Sequence, residues 1–362
     1  MSSIAIYRLP YDDRCTVVRQ DEGEPELLSS LTDLNGRSGF VVAPFQISPA
    51  TPLLLIRPVT VSHTTVCDLR QIELRLNAGQ FDEKHNHTDT ERVRYDIDFA
   101  NFHAHLANGT YRKLVLSRCQ TIEAETPTDP ITLFQQACQR YPRLFIALVS
   151  TPQSGTWLTA TPEILLDNPG GNEWRTIALA GTMRLEGDEL LGEGEHLNWS
   201  VKNIQEQRYV ATYIAECLEQ FTHEFREEGP RTVRAAHLVH LRSDFTFTLF
   251  NNARAGDLLQ ALHPTPAVCG LPKREALDFI LNNECTPRQY YSGFMGPLNL
   301  PAPVPHTSTP ATHLYVSLRC MQILAHEYRL YAGGGLLKDS VVEQEWQETE
   351  AKMQTMRSLL GC

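Results

Sequence analysis

A helix expected over about 200–222 places Glu206, Val210, Tyr213 and Cys217 at i, i+4, i+7 and i+11, one continuous face. Glu206 therefore lies in line with side chains that point inward. A buried carboxylate has to be paired, protonated or bound to a cation. The alternative is a frayed first turn, or a pairing near Arg208. A second helix, expected over about 343–360, repeats the pattern, with Glu345, Glu348 and Lys352 at i, i+3 and i+7. Glu343, Glu345, Glu348 and Glu350 make its start acidic, which also suits the helix dipole, and Glu348 to Lys352 is an ordinary i, i+4 pair. Ahead of it runs Ala332-Gly-Gly-Gly-Leu-Leu, where backbone can approach a ligand closely. Glycine N–H groups beside a helix start bind anions. An anion site beside paired carboxylates suits an acidic ligand bridged by a metal, and oxygen-only ligation suits Mg²⁺.

Two further residues stand apart. Lys113 opens the run Lys-Leu-Val-Leu-Ser-Arg and by strand alternation shares a face with Val115 and Ser117. Glu163 follows Pro162 between two apolar runs. Periodicity alone makes both of them edge-strand charges. The histidine pairs His85/His87 and His103/His105 have alternate-residue spacing and no evident third ligand, so they read as solvated side chains rather than zinc ligands. The nine cysteines include no C-x-x-C spacing, and most of them read as reduced core residues.

These residues belong to a chain of 362, long enough for one large domain or two ordinary ones. Hydrophobic residues at 42% and charged residues at 21% give a globular balance that can bury a full core. Lys plus Arg is 32 against 43 for Asp plus Glu, a net charge of −11, which argues against nucleic acid as a partner. No apolar run approaches the ~18 residues of a membrane span, and the start lacks a secretory pattern. The expectation is a cytosolic protein with no membrane partner.

Short strands are expected at Gly39–Ala43 and Leu53–Ile56, then a helix from about Thr90 to Leu106. Further strands follow at 114–116, 144–149, 156–160, 246–249 and 314–320, the last pairing with 328–332 as an antiparallel hairpin. Pro297 to Pro310 reads as a surface loop. Strand clusters broken by isolated helices favour an α+β fold with large antiparallel sheets.

The order of these motifs resembles the chorismate-utilising enzymes, the family of anthranilate synthase component I. The resemblance rests on Lys113-Leu-Val-Leu-Ser-Arg, Thr161-Pro-Glu-Ile-Leu-Leu, Leu179-Ala-Gly-Thr, Lys202-Asn-Ile-Gln-Glu206, His263-Pro-Thr-Pro-Ala, Gly333–Gly335 and Glu345-Trp-Gln-Glu348-Thr. It runs from roughly Arg112 to Leu360, and within the family it is nearest to the isochorismate synthases. It implies one catalytic domain over 1–362, with 1–105 matching weakly and 106–362 forming the chorismate-binding core between two mostly stranded halves. It also implies a monomer that takes chorismate and needs no glutaminase subunit.

Carried over by position, the resemblance makes Lys113 the base that activates water and Glu163 the general acid. Glu206 and Glu348 become the magnesium ligands, with Glu345 in an outer shell. Gly181, Thr182, His240, Arg319, the Gly333–Gly335 turn including Gly334, and Lys352 become substrate-binding positions. Lysine acts as a base only when neutral, and Glu163 must keep its proton to donate to the leaving hydroxyl. Lys113 disfavours the ammonia-adding branch, which has glutamine there, and Ala180 disfavours the aminodeoxychorismate branch, which has lysine there. Salicylate synthase, which goes on to eliminate pyruvate, stays open beside isochorismate synthase, and so do the menaquinone and siderophore pathways. Asn203 stands where an acid is common and Gln207 where histidine is usual, departures expected to touch the outer metal shell. The overall charge should repel an anionic substrate, so capture is expected from a local pocket of Lys113, Arg319, Lys352 and magnesium.

Overall fold

A computed structural model describes residues 3–72, 74, 77, 89–184, 197–235, 238–301 and 309–361. Two antiparallel sheets face each other. The nine-stranded sheet runs, in spatial order, Gly270–Leu271, Lys113–Glu123, Glu327–Leu336, Cys320–Ile323, Gly155–Thr161, Phe145–Thr151, Ser3–Arg8, Arg14–Gln20 and Thr60–Thr65. The second has the order Phe225–Ala235, Leu238–Thr248, Glu173–Arg184, Ile164–Asn168, Pro310–Val316, Phe294–Leu298, Gly39–Ala43, Leu53–Ile56 and Glu26–Leu28, with Leu300–Pro301 attached to Pro310–Val316.

Strand alternation builds the layers. Ala5 and Tyr7 meet Phe40, Val42 and Tyr315 between the sheets, whereas Ile4 and Ile6 point outward. Helices cover the outer faces: α1 (Asp89–Ala107), α2 (Pro130–Arg140), α3 (Val201–Leu218), α4 (Ala255–Leu262), α5 (Lys273–Asn283) and α6 (Val342–Arg357). α2 and α6 pack on the nine-stranded sheet, α3 and α4 on the other, and α1 and α5 close the end that carries Lys113–Glu123. None of the described helices is long and apolar enough to cross a membrane. α2, α4 and α5 go unannounced in the sequence, although Asp129 caps α2 through the Thr132 N–H at 2.9 Å, with Pro130 next to it.

Three expectations need correction. The run 314–320 is not one strand. Pro310–Val316 belongs to the second sheet, the chain crosses at 317–319, and Cys320–Ile323 forms the hairpin with Glu327–Leu336. Arg319 takes φ 45° at this crossing. The Pro-rich stretch does not begin as a loop, since Pro297 is buried in a strand opposite Phe40, while residues 302–308 lie outside the described ones. Gly333–Gly335 is a strand segment in register with Ser117 to Val115, and α6 starts only at Val342, so the glycines are neither a turn nor a helix-start anion site.

Candidate active site

Glu163 and Arg319 reach the cleft from two adjacent chain crossings. Thr161-Pro162-Glu163 leaves the nine-stranded sheet for the second one, and Ser317–Arg319 returns. The crossings are tied together, because Val316 N–H donates to Glu163 O at 2.9 Å and Ala160 N–H to Arg319 O at 3.1 Å. Neither segment can continue a ladder while changing sheets, so each turns its side chain into the junction. Beside them opens a cavity of about 590 Å³, counting space open to solvent, lined by Glu163, Gly181, Thr182, Glu206, His240, Arg319, Gly333, Gly335 and Lys352. Nine predicted site positions thus share one cavity. Lys113, Gly334, Glu345 and Glu348 lie behind that surface.

The charged groups behind the wall are paired one to one. Lys113 is fully buried, with Nζ 2.9 Å from Glu206 Oε1. Lys352 Nζ donates to Glu348 Oε1 at 2.7 Å and to Gly333 O at 2.8 Å. Lys202, one helical turn before Glu206, pairs with Glu345. The motif order assigns Lys202 no role, although its i, i+4 spacing to Glu206 is a signal on the sequence. Tyr291 also lines the cavity and had no sequence signal. Arg118 fastens α6 to the sheet. It pairs with Glu91 and Glu350, donates to Thr349 Oγ1 at 2.7 Å, and stacks over Trp346 at 3.8 Å.

The environment pushes the carboxyls in opposite directions. Burial outweighs Arg319, Lys113 and Lys352 and lifts Glu163 to about 7. Burial works against ionisation of Glu206 too, but Lys113, Lys202 and Lys352 together hold it below the usual range. Glu345 is raised to about 7, first by burial and then by the neighbouring Glu348 charge. His240 is held well below its usual value by burial, Arg319 and Lys352, so its ring is neutral. Its Nδ1–H donates to Gly181 O at 3.0 Å, which leaves Nε2 to accept from Arg319 Nη2 at 2.6 Å. Arg319 Nη1 is buried without a hydrogen-bond partner and is free to bind an anion.

The glycines supply room. A Cβ at 335 would lie 2.0 Å from Glu206 Oε1 and 2.9 Å from Lys113 Cε; at 334 it would lie 3.2 Å from Glu345 Oε2 and 3.8 Å from Glu348 Oε1. Three carboxylates and the lysine thus crowd onto a strip that only glycine leaves open. Gly335→Ala is expected to destabilise the fold by about 1–3 kcal/mol through overpacking. It should also lower turnover by about ten-fold or more by displacing Glu206. Thermal unfolding and steady-state kinetics check the pair of effects, and unchanged turnover would contradict the spatial role.

The donor set fits a hard divalent cation in its chemistry, since Glu206, Glu345 and Glu348 offer oxygen ligands only. Among the described residues no three His, Cys, Asp or Glu side chains already converge on one metal position. Each carboxylate rests on its own lysine instead. Gln207, expected in the outer metal shell, turns away from the carboxylates and bonds Ala178 and Ala180. His263 also turns away, toward Pro44 O at 3.2 Å, and burial lowers it to about 3. The other chemistry-bearing candidates fall away. His103 bonds Lys338 O and stacks on Phe99, His105 packs on Phe279, and His85 and His87 lie outside the described residues. The described cysteines form no disulfide, and burial pushes Cys15, Cys119 and Cys269 up to about 12.

This geometry defines a cleft for acid–base chemistry on an anion, set at the junction of two antiparallel sheets. The chain belongs to the chorismate binding enzyme family, whose model matches residues 58–361. It is 28% identical over 274 residues to isochorismate synthase EntC of Escherichia coli strain K12, covering 75% of this chain and 68% of that one. It is 31% identical over 268 residues to isochorismate synthase DhbC of Bacillus subtilis, covering 71% and 65% respectively. In structure it superposes on MenF, the menaquinone-specific isochorismate synthase from Escherichia coli, with a TM-score of 0.79 at 22% identity, over 99% of this chain and 88% of that one.

Proposed function

We propose that the protein is a magnesium-dependent isochorismate synthase, adding water at C2 of chorismate with loss of the C4 hydroxyl. The observation that carries this reading is a carboxyl that keeps its proton to about 7, Glu163, in one cleft with Arg319 and with Glu206, behind which Lys113 is buried at 2.9 Å. Arg319 Nη1 and Lys352 bind substrate carboxylates, offsetting the dianion's charge and fixing the ring. In its neutral form Lys113 takes a proton from water as the water oxygen bonds to C2. The ring double bonds shift, and the C4–O bond breaks as Glu163 gives its proton to the departing hydroxyl. One water enters, one leaves, and the product is an isomer. Passing the proton from Lys113 back to Glu163 resets the site. Glu206 and Glu348 would hold Mg²⁺, with Glu345 outside them, and the ion would supply charge neutralisation at a substrate carboxylate.

Incubation with chorismate and Mg²⁺, followed by chromatography, tests the reading. Isochorismate as sole product is expected. Salicylate with pyruvate would make the protein a lyase that continues past isochorismate, and untouched chorismate would overturn the assignment. Treatment with EDTA is expected to stop turnover and fresh Mg²⁺ to restore it; turnover that survives chelation would remove the metal from the proposal.

A further inference from the structure

We propose that Asn203 and Gln207 are positioning residues that stand in for a missing β-strand and thereby aim Arg319 into the cleft. Strand Glu173–Arg184 is paired along one edge with Leu238–Thr248, but on its other edge the ladder to Ile164–Asn168 is recorded only at Arg175. Beyond that point, Ala178 and Ala180 present their N–H and C=O groups to the same open edge, as residues two apart do in an antiparallel strand. α3 runs past this edge. Gln207 Oε1 accepts from Ala180 N–H at 2.9 Å, and Nε2 donates to Ala178 O at 3.1 Å. A carboxamide carries the donor and acceptor of a peptide group, so one side chain supplies the two bonds that a neighbouring strand would make. One turn earlier on α3, Asn203 Nδ2 reaches Thr182 O at 3.4 Å. Both side chains are buried, Gln207 to 1% exposure.

The segment held in this way builds the cleft. Register with Leu238–Thr248 steps from Ala180↔Leu241 to Thr182↔His240, leaving Gly181 as an extra residue at φ 69°, a β-bulge that re-aims the strand. Asn203 packs so tightly there that a Cβ on Gly181 would lie 3.1 Å from its own Cβ and O. Gly181 O then orients His240, and His240 Nε2 orients Arg319. The contacts run without a break from Gln207 through Ala180 and Gly181 to His240 and Arg319. Asn203 and Gln207 are also two of the positions where the chain departs from the pattern of the family it resembles, beside Thr161 and the Gly333–Gly335 segment. Asn203 and Gln207 are both amides, and both serve one edge.

Gln207→Leu keeps the volume and removes both bonds together with a longer one from Nε2 to Ser243 Oγ at 3.4 Å, while Gln207→His restores a donor and an acceptor. Arg319 grips the substrate equally before and during reaction, so Gln207→Leu should raise KM for chorismate about ten-fold with kcat changed by less than about three-fold. Gln207→His should recover most of the loss. In an Arg319→Ala background Gln207→Leu should raise KM no further, because the two act through one path. An effect confined to kcat, or full additivity with Arg319→Ala, would overturn the proposal. The kinetic arm rests on the chorismate reading, and a second arm does not. In ¹⁵N NMR of the histidines, with His240→Asn to identify its signals, the wild type should show His240 as the Nδ1–H tautomer. Gln207→Leu should convert it to a mixture, and an unchanged His240 spectrum would also refute the relay. Wild-type protein that leaves chorismate untouched would sink the functional reading while this arm still decides the positioning. Should Gln207→Leu not fold, Asn203→Ala takes its place, with a KM rise of about three-fold and the same tautomer shift expected; absence of both refutes the proposal.

Discussion

Replacing Lys113 with alanine is expected to lower kcat by about 10²–10⁴-fold, the range for removing a general base, while chorismate binding stays within a few-fold. The separation follows from placement. The cationic side chains that line the cavity, and that the proposed function assigns to the substrate carboxylates, are Arg319 and Lys352, whereas Lys113 lies beneath Glu206 with no exposed surface. The variant also strips Glu206 of its nearest cation, and breaking a buried pair destabilises by about 3–5 kcal/mol. Turnover is therefore measured below the melting transition, beside Lys113→Gln, which keeps a polar group near Glu206. Wild-type turnover in either variant would remove Lys113 from the role of base. A matching loss of chorismate affinity would make it a binding residue instead.

Glu163→Gln is expected to lower kcat by a similar 10²–10⁴-fold, because the amide cannot give its proton to the leaving hydroxyl. The wild-type profile has a direction fixed by the same group. Burial lifts Glu163 to about 7, so the acid is protonated below that pH and ionised above it. Activity should therefore fall as pH rises through about 7, and the residual activity of Glu163→Gln should lack this limb. Stability carries the same sign. A carboxyl whose folded value is raised contributes stability at low pH that is lost as pH rises through the folded value. The glutamine variant never ionises there, so its melting temperature should gain on wild type as pH rises from about 4.5 to about 7, and the gain should level off above that. A melting difference that is flat over this window would show that Glu163 is not buried as an acid.

Much of the site was legible in one dimension. A period of 3.6 aligns Glu206 with inward-facing residues, and Glu206, Val210 and Cys217 are buried on α3 with Tyr213 partly so. The same period put Glu345 and Glu348 on one face of α6, and the Glu348–Lys352 pair read as ordinary i, i+4 chemistry is present at 2.7 Å. Strand alternation set Lys113 on the face of Val115, which lines the cavity. Periodicity could not say that Lys113 and Glu163 were more than edge charges; only the motif order raised them. The glycines stand out in the sequence for a reason other than the one the structure shows. They were read as anion-binding backbone, and they serve as the gap into which carboxylates fit.

The sequence by local rules determines which face of each helix and strand is apolar, because the 3.6 and 2.0 periods are properties of the backbone itself. It therefore specified several of the strands, the helices α1, α3 and α6, the antiparallel α+β class and the inward direction of several charged candidates. Tertiary structure alone decided which of them meet. Arg319 faces Glu163 because two chain crossings, about 155 residues apart in sequence, lie side by side where the sheets join. Each carboxylate found its own lysine on a different element or turn, and Gln207 found a strand edge left open by a short ladder. Such meetings depend on which strands pair and where the pairing stops. No local period carries that information.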